Sequence, residues 1–154
     1  MARIRTIKPE FFLDEDLAQL PHRTRLFFVG LWLQADREGR LEDRPQRLRV
    51  QVFPYEPEID AEEMLCQLAQ RPECGEPHIY RYEVGGKRLI HIVGFLKHQR
   101  PHPKEPPSTI LPYTEGMPCK KTASREKTFL ASKLREGKGR EGKENIREGN
   151  GLRS

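Results

Sequence analysis

One stretch limits what this chain can fold into more than any other: Arg23 to Asp36, RTRLFFVGLWLQAD. Apolar residues stand at 26, 27, 28, 29, 31, 32, 33 and 35. At 3.6 residues per turn they cover nearly the whole circumference of a helix, which predicts burial on most sides. A buried strand would also be apolar throughout, but strands seldom exceed about ten residues. Other elements must pack around this helix. Function then falls to what those elements display outward.

The flanking sequence supplies them in order. Met1 to Lys8 is basic, Pro9 stops a helix, and Phe11 and Phe12 can close over a core. Asp14 is placed to cap a short helix with Leu17 and Leu20 inward. After Gly39, Arg40-Leu41-Glu42 reads as a very short strand. Arg44 to Val52 reads as a second helix, with Asp43 as N-cap and Pro45 near the first turn, where Pro is tolerated. Asp60 caps a third helix, whose Ala61, Met64, Leu65 and Leu68 form one apolar face. Glu62, Glu63, Gln67 and Gln70 are then expected to face out. HIYRYEV and KRLIHIV flank Gly85-Gly86, a strong hairpin signal with a primed turn. That register sets Glu83 opposite Arg88, Tyr82 opposite Leu89 and Tyr80 opposite His91. Both strands carry apolar residues on both faces, so the pattern leaves the buried face open.

The chain's net charge of +5 is unevenly spread. Residues 1–119 carry 17 Lys and Arg against 18 Asp and Glu, a net of −1, whereas residues 120–154 carry 11 against 5, a net of +6. The expected organisation is a domain over 1–100, a Pro-rich linker over 101–119, and a basic, low-complexity, disordered tail over 120–154. Three irregularly spaced cysteines form no disulfide framework and fit a reducing compartment. The N-terminus lacks a signal-peptide pattern, and no segment is long and apolar enough to span a bilayer. A soluble cytoplasmic protein is the expectation, with no membrane partner.

Helix, short strand, helix, helix and hairpin is the element order of a winged helix-turn-helix. The expected fold class is therefore α+β, with three to four helices and a two-stranded β-hairpin wing. Three segments carry a further resemblance: ARIRTIKPEFF, RLFFVGLWLQADREGRLEDRPQRLRVQVFP and YRYEVGGKRLIHIVGFLKHQRPHP. Over about residues 1–104 the chain resembles the N-terminal domain of phage and prophage replication-initiation or replisome-organiser proteins related to the DnaD family. The resemblance implies a winged-helix module that binds DNA or self-associates and helps load a helicase at an origin. The chain differs from that pattern in approaching the central helix through Pro21-His22-Arg23, in the polar PECGEPH before the wing, and in lacking a second helical domain after the linker.

Affinity for a polyanion needs cations that neutralise phosphates. The third helix sums to −2 over residues 60–71 and is a poor groove reader on that ground. The candidate DNA contacts lie elsewhere: Lys87 and Arg88 at the wing tip; Lys97, His98, Arg100 and Lys104 after the wing; Arg44, Arg47 and Arg49 on the second helix; and Arg3 and Arg5 on the N-terminal arm. Such a set would position the domain on phosphates without reading sequence. The plain alternative is local pairing, Arg88 with Glu83, and Arg44 and Arg47 with Asp43 and Glu42. Cys66, Cys74, His78, His91, His98 and His102 supply metal-ligand types but no C-x2-C pair. No phosphate loop, nucleophilic triad or paired-carboxylate set emerges, so neither an enzyme nor a cofactor is expected. The expected partners are DNA, a second copy of the chain, and a replicative helicase or its loader. A transcriptional regulator is a further alternative, which the acidic third helix disfavours.

Overall fold

In the computed structural model, which describes residues 3–115, two single-turn helices precede the central one. The first, α1, is Glu10–Leu13, and the second, α2, is Glu15–Ala18. Asp14 opens α2 as expected, its carboxylate accepting from the Leu17 amide at 2.9 Å. Leu17 is buried, and Phe11 meets Trp32 edge-on. Phe12 stays exposed, so only one of the two phenylalanines closes over the core. The described residues fall within the first of two compact units, Met1–Thr122. The tail expected over 120–154 lies outside the described residues.

The central helix, α3, is His22–Gln34. Thr24, Phe27, Phe28, Leu31 and Trp32 are buried, but Leu26 and Leu33 are 58% and 44% exposed. The expectation of burial on most sides is therefore corrected: one stripe of this apolar helix faces solvent. No side chain caps its N-terminus. Its C-terminal carbonyls, which lack partners within a helix, accept instead from the N-terminal segment. Arg3 Nη1 donates to the Gln34 and Ala35 carbonyls at 2.8 Å, and Arg5 Nε donates to that of Trp32 at 3.0 Å. Cations are favoured at this end of the helix dipole.

Four elements follow: β1 at Arg40–Glu42, α4 at Pro45–Val52, α5 at Ala61–Ala69, and β2 at Ile79–Val84. Next, β3 is Lys87–Ile92, and a further helical turn, α6, is Phe95–His98. The described residues thus form an α+β fold with six helices, three of them single turns, and an antiparallel sheet ordered β1-β3-β2. α3 and α4 approach closely at Gly30, where a Cβ would stand 2.6 Å from both Val52 methyls. Gly39 has φ 78°, and a Cβ there would lie 2.5 Å from Phe95. Asp60 caps α5 through the Glu63 amide, and Ala61, Met64, Leu65 and Leu68 are all buried.

The hairpin register is the expected one, with Glu83↔Arg88, Tyr82↔Leu89 and Tyr80↔His91. Gly85 and Gly86 both have positive φ, as a type I′ turn requires. The question of the buried face resolves in an unexpected way, because both faces are covered. Ile79, Ile90 and Ile92 join the core shared with the helices. On the other face Tyr113 stacks on Tyr80 with ring centroids 4.4 Å apart, and the Tyr82 hydroxyl donates to the Leu111 carbonyl at 2.6 Å.

The covering strand of chain is the Pro-rich segment expected to be a linker. Glu105 pairs with Arg5 at 2.7 Å, and both side chains are almost fully buried. Ser108 donates to Asp36, and Arg40 Nη1 donates to the Ile110 carbonyl at 2.9 Å. Residues 105–113 form a strap belonging to the folded unit, so its boundary falls later than residue 100.

Candidate nucleic-acid interface

The hairpin tip is built by the Gly-Gly turn, which leaves Lys87 and Arg88 exposed at the start of β3. The Asp43 amide donates to the Arg88 carbonyl at 2.9 Å and ties the tip to the loop before α4. Lys87, Arg88, Arg44 and Glu42 thereby line one shallow cleft of about 220 Å³. Arg44 Nε lies 2.8 Å from Glu42, with the two side chains 63% and 47% exposed. An ion pair this exposed is screened and worth little, so Arg44 can exchange Glu42 for a phosphate at small cost. No Arg88–Glu83 ion pair is found within 4 Å among the described residues, although the two stand opposite.

The three α4 arginines separate. Arg44 sits at the N-cap without a side-chain cap bond, because Asp43, the expected cap, points inward. Arg47 is exposed. Arg49 is half-buried and reaches the Glu56 carbonyl at 3.5 Å, so it is turned toward the domain. A second cleft, of about 430 Å³, opens beside α4 and shares Glu42 and Arg44 with the first. The hairpin tip, Arg44 and Arg47 consequently lie on one continuous surface.

The cations that follow the hairpin do not join it. Lys97 and His98 fall on α6 rather than on an extended segment, because Gly94 adopts a left-handed conformation and starts a helical turn. Five strand steps of β3, roughly 16 Å at 3.3 Å each, separate them from the hairpin tip. Lys97, His98, Arg100 and Lys104 are exposed at that far end. The N-terminal arm is not a free arm either. Arg3 and Arg5 are bound to α3 carbonyls, and Arg5 is further committed to Glu105 and lies over the Phe95 ring. Both were expected to contact DNA; Arg5 is a structural side chain.

The face assignment of α5 is also corrected. Gln67 is buried and bonded to Thr24, and Glu62 turns toward Arg81. Arg81 is 2% exposed inside the sheet and donates to Asp43 at 2.7 and 2.9 Å and to Glu62 at 2.9 and 3.0 Å. Burial opposes its charge, but the bonds to Asp43 and Glu62 outweigh burial and hold the guanidinium protonated more firmly than usual. Of the three acids counted against α5, Glu62 alone is paired with Arg81, and it shares that single charge with Asp43. Sequence reading missed Arg81. The available signal was its position two residues from Ile79 and opposite Ile90, on the core face. It missed Arg37 and Arg40 as well, which line the larger cleft.

His78 and His91 are both pushed below the usual imidazole range, chiefly by burial, so both are neutral at pH 7. Nearby Asp14 and Asp16 partly offset the shift at His78, while Arg40 adds to it at His91. His91 Nδ1 is buried without a partner among the described residues. Cys66 is half-buried and Cys74 exposed, and neither is in a disulfide among the described residues. Among the described residues no group of three His, Cys, Asp or Glu could hold a metal ion, and no helix is long and apolar enough to cross a membrane. No family model, curated protein or solved structure matches the chain.

Proposed function

We propose that this domain is a winged helix that binds DNA as a non-enzymatic accessory protein of phage or prophage replication, in the bacterial cytoplasm. The element order α3-β1-α4-α5-β2-β3 supports the winged-helix reading. The replication context rests on the resemblance of the three sequence segments. A single observation carries the binding mode: the wing-tip cations share one surface with Arg44 and Arg47, through Glu42 and Arg44. Phosphates held there by Lys87, Arg88, Arg44 and Arg47 would orient the domain by charge rather than by base readout.

The test is binding of labelled duplex DNA at low salt. Each phosphate contact at ~50 mM salt is worth about tenfold or more in affinity, by counterion release. Lys87→Glu with Arg88→Glu therefore weakens binding by at least that factor, and Lys97→Glu with Arg100→Glu does so less. Unchanged affinity in the wing variant would sink the proposal.

A second reading has its own support. Leu26 and Leu33 on α3 and Val50 on α4 are exposed apolar side chains, which suits a protein-interaction or oligomerisation module that self-associates or contacts a replicative helicase or its loader. It predicts concentration-dependent assembly in light scattering that is indifferent to wing charge.

A further inference from the structure

The larger cleft has two unlike walls. One carries arginines: Arg3, Arg37, Arg40, Arg44 and Arg47 all line it. The other is the strap, contributing Pro106, Pro107 and Ile110; the buried Leu41 and Leu48 also line the cleft. Three acids line it too, but each already has partners. Asp36 accepts from the Glu38 and Arg40 amides and from Ser108. Glu105 is held by Arg5, and burial is outweighed there, so its carboxyl lies below the usual range. Glu42 pairs with Arg44.

The arginines differ in what they have left to give. Arg3 is spent on α3 carbonyls. Arg40 is held by Glu38 and the Ile110 carbonyl, though its Nε is buried without a partner among the described residues. Arg37 uses one Nη on the Glu105 carbonyl at 3.2 Å, which leaves most of its five donors unused. Arg47 is exposed. Guanidinium forks with spare donors match phosphate oxygens. The proline wall is fixed in advance by Glu105–Arg5, Ser108–Asp36 and Arg40–Ile110, so a ligand meets a surface that needs no ordering.

We propose that this cleft binds one nucleotide of a single-stranded nucleic acid, Arg37 and Arg47 holding its phosphates and Pro106, Pro107 and Ile110 lying against its base. This rests on the nucleic-acid reading above and specifies the strand form. A cleft of about 430 Å³ has room for a nucleotide unit. A paired base keeps its faces stacked inside a duplex and cannot lie against the proline wall, even where duplex phosphates reach Arg44 and Arg47. An unpaired base can be sandwiched by apolar side chains once it is out of the stack. The cleft runs into the wing-tip surface at Glu42 and Arg44, so the neighbouring phosphates of a strand meet Lys87 and Arg88. A free nucleotide offers the same phosphate chemistry without that continuation.

The test is arginine footprinting of the full chain with phenylglyoxal, read residue by residue by mass spectrometry. It is run with oligothymidine, with thymidine monophosphate at equal nucleotide concentration, and without either. The expected result is slower modification of Arg37 and Arg47 with the oligomer, and no protection by the monophosphate. Removing both side chains, in Arg37→Gln with Arg47→Gln, should lower single-strand affinity about tenfold per arginine at ~50 mM salt and reduce the log–log salt slope by about 0.7 each. Protection by the monophosphate as strong as by the oligomer assigns the cleft to a free nucleotide and overturns the strand assignment. Equal modification of Arg37 and Arg47 with and without oligomer overturns it too. Duplex binding that still depends on Lys87 and Arg88 would then leave the proposed function standing.

Discussion

Replacing Arg81 by Met removes one cation and leaves two carboxylates behind. Asp43 is the decisive one. Its side chain is 1% exposed, and Arg81 Nε and Nη2 are the donors recorded on its two oxygens. Glu62 is 37% exposed and can rehydrate. The cost is therefore set by one uncompensated buried charge, about 3–5 kcal/mol when a buried pair is broken from one side. For a domain of this size that lowers the melting midpoint by roughly 10 °C or more. Adding Asp43→Leu removes the stranded charge, so Arg81→Met/Asp43→Leu should recover most of the loss. The two changes are then strongly non-additive, as expected for contacting residues. Urea unfolding of the parent, both single variants and the double variant completes the cycle. An Arg81→Met variant within ~1 kcal/mol of the parent, or a double variant no better than the single, would refute the reasoning.

Three other outcomes follow from the packing. A chain ending at Lys104 loses the strap, uncovers Tyr80 and Tyr82 and strands Arg5, so its urea midpoint falls well below that of a chain ending at Glu115. Equal midpoints would return 105–113 to the status of a linker. Gly39→Ala combines a positive φ with a clash against Phe95 and should cost about 2 kcal/mol or more by thermal melting. The Glu105 carboxyl is lowered, first by the Arg5 hydrogen bonds, so its contribution is present above the ordinary carboxylate pKa and is lost as pH falls through the folded value. Stability measured from about pH 5 downward should drop more in the parent than in Glu105→Gln.

Local rules made much of this fold legible. The Gly-Gly turn fixed the register of β2 and β3, Asp14 and Asp60 marked two helix starts, and the spacing of Ala61, Met64, Leu65 and Leu68 set the buried face of α5. What stayed hidden depends on partners far apart in sequence. Arg81 meets Asp43 across 38 residues and Glu62 across 19, and no local pattern reveals that a charge in a strand will be buried with such partners. Arg5 and Glu105 are 100 residues apart, so a basic arm and a Pro-rich linker each read as solvated until they meet. The strap is also why hairpin alternation left the face undecided: Tyr80 and Tyr82 need cover as much as Ile79 does. The basic candidates were legible by residue type but not by grouping. The length of β3 divides them, and the fold of β1 onto β3 brings Arg44 to the hairpin tip.

The most direct test of the central claim is the salt dependence of duplex-DNA affinity for a chain ending at Glu115, which lacks the +6 segment beyond residue 119. With Lys87, Arg88, Arg44 and Arg47 each engaging a phosphate, log affinity should fall against log salt with a slope of about −3 to −4, at about −0.9 per contact. Lys87→Glu with Arg88→Glu should take about two contacts from that slope. Binding that disappears when the segment beyond Glu115 is removed, or a slope that ignores the wing variant, would contradict the account.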